Sequence, residues 1–73
     1  MQTTNVKGKD SPDFETVNGG SVILVIPLTR DARRWTLNRI EPDVPRLGQG
    51  FAVEPRYFPG LVEEIMSAGL EVA

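Results

Sequence analysis

The chain has 73 residues and a net charge of −2, with no cysteine and no histidine. That excludes a disulfide framework, a thiolate metal site, a cysteine nucleophile and the commonest general base, and 8.1 kDa leaves room for one domain only. Apolar residues at 40% and charged residues at 25% are ordinary globular usage, and the longest apolar run, Val22 to Ile26, falls far short of the about 18 residues that suggest a membrane span.

In chain order, residues 1–12 are polar, hold one isolated valine and end in Asp10-Ser11-Pro12, which predicts a flexible N-terminal tail ahead of a single domain over residues 13–73. No basic stretch followed by an apolar one opens the chain, so cytoplasmic residence is expected. Asp10, Asp13 and Glu15 are spaced like cation ligands, but no glycine and distal glutamate complete a calcium loop, so they are read as solvated. Phe14 to Val17 predicts a short strand. Asn18-Gly19 offers the positive φ angles of a type I′ hairpin turn, and Ser21 to Leu28 is the strongest strand signal, with Pro27 at its end or on an edge.

Thr29 is a good N-cap for a helix over Arg30 to Ile40, whose buried face is Ala32, Trp35, Thr36 and Ile40, with Leu37 off that stripe and exposed. Glu41-Pro42 ends it, and Asp43 to Gly50 reads as a loop, with Gly48-Gln49-Gly50 a turn before a strand and not a phosphate loop. A second clear strand covers Phe51 to Glu54. Pro59 to Ala68 predicts a second helix, burying Leu61, Val62, Ile65, Met66 and Ala68, with Gly69 as its left-handed C′ residue and Leu70 to Ala73 as a last short strand.

The order is thus ββαβαβ. Helices between consecutive strands predict parallel crossovers, hence an α+β fold with a mixed four-stranded sheet and two helices. Val22, Leu24, Ile26 and Leu28 face one side of the long strand while Ile23 and Val25 face the other, so both sides are apolar. Two ten-residue helices cover one sheet face well and two poorly. Either each helix takes one face, or the tail, a second copy in a homodimer, or another protein covers the remainder.

Catalytic constellations are nearly absent, and the reading is of a protein that is not an enzyme and carries no cofactor or metal. Glu63 and Glu64 are adjacent on a helix and diverge by about 100°, so they do not form a carboxylate pair. Charge is uneven: residues 30–40 carry Arg30, Arg33, Arg34 and Arg39 against Asp31, net +3, whereas residues 41–73 are net −4. Arg30, Arg33 and Arg34 sit near a helix N-terminus, where the helix dipole opposes cations, so a partner's phosphates or carboxylates would explain them. A solvated face paired with the acidic half is the plainer account.

Phe51 to Phe58, continuing through Leu61 to Val72, carries a further signal in Val53, Glu54, Arg56, Tyr57, Ala68, Gly69, Leu70 and Val72. This segment resembles small proteins encoded by phages, prophages and plasmids, in which a strand ending Val-Glu-x-Arg-Tyr leads into an amphipathic helix closing on Ala-Gly-Leu-x-Val. Trp35 is a looser match, and Pro55 stands where that pattern has a histidine. The resemblance implies an anti-defence inhibitor of the anti-CRISPR type, acting in the host cytoplasm by binding a host protein complex such as a CRISPR–Cas effector, without catalysis. The alternative is a nucleic-acid-binding accessory protein using the basic helix. The candidate partner-binding residues are Arg30, Arg33, Arg34, Glu54, Arg56, Tyr57, Glu63, Glu64 and Glu71.

Overall fold

A computed structural model describes residues 12–73; residues 1–11, which make up nearly all of the expected tail, lie outside the described residues. The first two strands, β1 (Phe14–Asn18) and β2 (Ile23–Pro27), pair antiparallel with Asn18 opposite Ile23. That register leaves four residues in the connection, so the predicted two-residue type I′ turn does not form. Instead Asn18 Oδ1 accepts from the Gly20 N–H at 2.9 Å, the Gly19 N–H donates to the Val22 carbonyl at 2.8 Å, and Gly20 takes the positive φ, 91°. An asparagine that bonds its own backbone two residues on makes a turn without needing Gly19 to be left-handed.

Helix α1 (Arg30–Arg39) begins as the sequence predicts. Thr29 is in extended geometry and its side chain accepts from the Ala32 N–H, while Ala32, Trp35 and Thr36 are buried. The helix closes one residue before the predicted end: Ile40 is already extended, and its N–H donates back to Thr36. Beyond it the predicted loop contains a strand. A hairpin of β3 (Arg46–Leu47) and β4 (Gly50–Val53) turns through Gly48-Gln49, with Gly48 at φ 59°.

This hairpin inverts the predicted topology. The sheet order is β1-β2-β4-β3, every neighbouring pair antiparallel, so the four-stranded sheet is antiparallel and not mixed, and the element order is ββαββα. Helix α1 does connect two strands that run the same way, but these are β2 and β3; β4 then folds back between them. Gly50 is a position of β4 that only glycine fits without displacement, since a Cβ there would lie 2.8 Å from the Val25 carbonyl oxygen of β2.

A 3-10 turn (Pro55–Tyr57) leads into α2 (Phe58–Ser67), which starts one residue earlier than predicted. It ends at Ser67, one residue before the predicted Ala68, but closes on the predicted glycine: Gly69 has φ 82°, its N–H donates to Met66 and that of Leu70 to Ile65, so the last carbonyls are satisfied in a Schellman turn. Ile65 is buried and Leu61 and Val62 are half-buried, but Met66 and Ala68, assigned to the buried face, are exposed; Phe58 packs on the core instead. The predicted last strand shrinks to one parallel bridge, Val72 to Phe14.

The core is Phe14, Val25, Ala32, Trp35, Phe51 and Ile65, with the Phe14 and Trp35 rings edge to face at 5.8 Å. Register places Phe14, Val25 and Phe51 on one side of the sheet, together with Ile23 and Val53. Both helices pack on that side. Neither side chain of the opposite parity, Leu24 or Ile26, belongs to the cluster.

Asp13, immediately before β1, ties the ends of this arrangement together. It is buried; its Oδ1 accepts from the Thr29 hydroxyl at 2.7 Å and its Oδ2 from the Glu71 N–H at 2.9 Å. Thr29 therefore donates to Asp13 while accepting from Ala32. One carboxylate thus holds the start of β1, the start of α1 and the segment after α2. The expectation of a solvated carboxylate fails here because each of its oxygens finds a donor inside the fold.

Candidate functional site

Arg30, Arg33 and Arg34 stand in the first half of α1 without forming one cluster, and Arg39 stands in its last turn. Arg33 and Arg34 leave the helix on different flanks. Arg34 lines a shallow cavity of about 290 Å³ with Asp31, Trp35, Asn38, Ala68 and Leu70, between α1 and the end of α2. Arg33 lines a groove of about 230 Å³ with Pro27, Thr36, Leu37, Arg46 and Gln49. Its Nη1 donates to the Leu28 carbonyl at 3.3 Å, and Arg46 Nη2 reaches the Glu41 carbonyl at 3.5 Å. Two guanidiniums thus share one groove, anchored by backbone oxygens and not by carboxylates.

Pairing of this face with the acidic half does not occur among the described residues. Arg30, Arg33, Arg34, Arg39 and Arg46 have no described carboxylate oxygen within 4.0 Å; Arg39 instead stands 5.9 Å from the Trp35 ring centre. An unneutralised arginine in the first turn also opposes the helix dipole. Arg46 and Gln49 escaped the sequence reading because they sit on the unpredicted β3–β4 hairpin. Leu37, predicted to be exposed, is so, and forms the apolar wall of the groove.

Glu54, Arg56 and Tyr57 do come together. Arg56 Nε donates to Glu54 Oε1 at 3.0 Å, and its guanidinium lies 5.0 Å from the Tyr57 ring centre. Glu54 therefore pairs two residues along the chain and not across the sheet. With side chains 74% and 56% exposed, this pair contributes about 0–1 kcal/mol to stability. Tyr57 is exposed and, with Glu54, rims an apolar groove of about 280 Å³ floored by Ile40, Phe51, Val53 and Leu61.

The acidic candidates are dispersed. Glu63 and Glu64 are exposed on α2, and Glu71 lies beyond its end, where its backbone is held by Asp13. No hydrogen bond or ion pair among the described residues joins them. Nor does any group of three or more carboxylates among the described residues converge as cation ligands would.

No protein-family model matches the chain, and no curated protein or solved structure does so either. Among the described residues, no helix is long and apolar enough to cross a membrane.

Proposed function

We propose that this protein acts by binding and without catalysis, as an anti-defence inhibitor of the anti-CRISPR type that docks on a host defence complex through the exposed arginines of α1 and β3, with the groove shared by Arg33 and Arg46 at the centre of the contact. The observation that carries this reading is the set of exposed arginines, Arg30, Arg33, Arg34 and Arg46, that no described carboxylate neutralises. Guanidiniums left unpaired on a rigid helix are preorganised for an acidic partner surface, and complementary charge gives so small a binder speed and specificity. The resemblance of the segment from Val53 to Val72 to phage, prophage and plasmid proteins supplies the class of partner. Glu54, Arg56 and Tyr57 form a second contact cluster beside the groove over Phe51.

The test is capture of a complex from a host lysate by the tagged full-length chain, with inhibition of that complex as the readout. Reversing Arg30, Arg33 and Arg34 to glutamate is expected to weaken inhibition about 100-fold, on roughly 1 kcal/mol for each contact. Reversing Glu63, Glu64 and Glu71 to lysine is expected to change it little. The opposite pattern would mean that the acidic residues mimic nucleic acid in a basic groove, and loss of function on Tyr57→Phe alone would point to chemistry.

A second reading has one observation in its favour: Arg33, Arg46 and Gln49 share a groove, a donor set that suits a phosphate as well as a carboxylate. Binding of duplex DNA by three or four arginines would fall with salt at a log–log slope of about −3. A flat salt response, or no DNA binding, removes nucleic acid as the partner.

A further inference from the structure

We infer that the sheet face opposite the helices is the interface of a homodimer. Register assigns Glu15, Val17, Leu24, Ile26, Leu47, Gly50 and Ala52 to this face. Leu24 and Ile26 lean over Gly50: a Cβ there would stand 3.1 Å from Leu24 Cδ1 and 3.0 Å from Ile26 Cγ1. The middle of the face is therefore apolar, with the Leu24 and Ile26 side chains filling the space over Gly50. Val17 is 49% and Leu47 58% exposed at its two sides.

Two observations choose a second copy over other occupants. Residues 1–11 hold only Met1 and Val6 as apolar side chains, too few to cover five. Glu15 is the sole ionisable group that register places on the face, so a strongly charged partner finds nothing to pair with, whereas a neutral layer fits its own copy about a twofold axis. Antiparallel sheets stack face to face at about 10 Å with their strands within about 30° of one another, which needs a flat apolar layer of this kind. A domain whose core is six side chains, with no cysteine to staple it, gains most from such association.

The experiment is light scattering of the full-length chain across concentration, with far-UV circular dichroism as the control for folding. The wild type is expected to rise from 8.1 kDa to twice that mass between about 1 and 100 µM, as a small interface allows. Val17→Lys combined with Leu47→Lys is expected to hold it at 8.1 kDa over the same range with unchanged dichroism. If the double variant loses its dichroism, the single variants are used, each expected to raise the dissociation constant about tenfold. A folded variant that still doubles in mass overturns the proposal, because the dimer then forms elsewhere. A wild type that stays monomeric also overturns it, and a soluble paramagnetic agent then names the occupant. Leu24 and Ile26 methyls shielded from the agent mean that residues 1–11 cover the face, and methyls broadened by it mean that the face is left for a different protein.

Discussion

Replacing Asp13 with alanine tests how the fold is closed. The substitution removes two hydrogen bonds to a carboxylate, from the Thr29 hydroxyl at 2.7 Å and the Glu71 N–H at 2.9 Å. Hydrogen bonds to charged groups contribute about 1.5–3 kcal/mol each, and both donors are only part-buried, so the lower figure applies and the loss is about 3 kcal/mol. At about 4–8 °C per kcal/mol for a domain of this size, the melting temperature drops by about 12–24 °C. Asp13→Asn separates charge from geometry. Its carbonyl can accept from Glu71 and its amide donate to Thr29, whose oxygen has a second lone pair, so both contacts survive at neutral strength. Neutral bonds are about half as strong, which predicts a loss of about 1.5 kcal/mol. Thermal melts followed by circular dichroism measure both variants, and amide exchange at Glu71 and Ala73 reports whether the C-terminal segment detaches. A shift below about 4 °C for Asp13→Ala, or an asparagine variant as damaged as the alanine one, would refute the reasoning.

Phe51→Ala, at the centre of the core, should cost about 3–5 kcal/mol and leave so small a domain largely unfolded at 25 °C, as judged by urea titration. Gly50→Ala places a Cβ against the Val25 carbonyl oxygen and should cost about 1–3 kcal/mol, whereas Gly60→Ala, where a Cβ meets nothing within 4 Å, should be neutral or mildly stabilising. Arg56→Gln should change stability by less than about 1 kcal/mol in the same titration while weakening partner capture, since its ion pair with Glu54 is solvated.

Local signals were legible where one residue decides the geometry. Thr29 as N-cap, Gly69 as C′ residue and the burial of Ala32, Trp35 and Thr36 follow from chemistry confined to a single turn. The β3–β4 hairpin was not legible, because β3 is two exposed residues with no apolar pattern of its own, held in place by pairing with Phe51 and Gly50. Missing it turned an antiparallel β2–β4 pair into a presumed parallel crossover. It also hid Arg46 and Gln49 from the basic groove. Asp13 was misread for a related reason: its donors lie 16 and 58 residues away, and no local pattern announces a contact of that span. Both faces of β2 were correctly read as apolar, but only the shared side of α1 and α2 reveals which face stays open.

The parallel bridge between Val72 and Phe14 bears on how this chain can aggregate. With the Phe14 N–H donating to Glu71 and its carbonyl accepting from Ala73, the outer rim of β1 is already engaged where it begins. At the opposite rim β3 offers two residues, too short a template for a strand arriving from another molecule. Strand-by-strand growth into fibrils is therefore blocked at Phe14 and finds only two residues to pair with at β3. Losing the Val72 bridge would extend the open rim of β1 to all five of its residues, so variants that loosen the C-terminal segment should aggregate before they unfold.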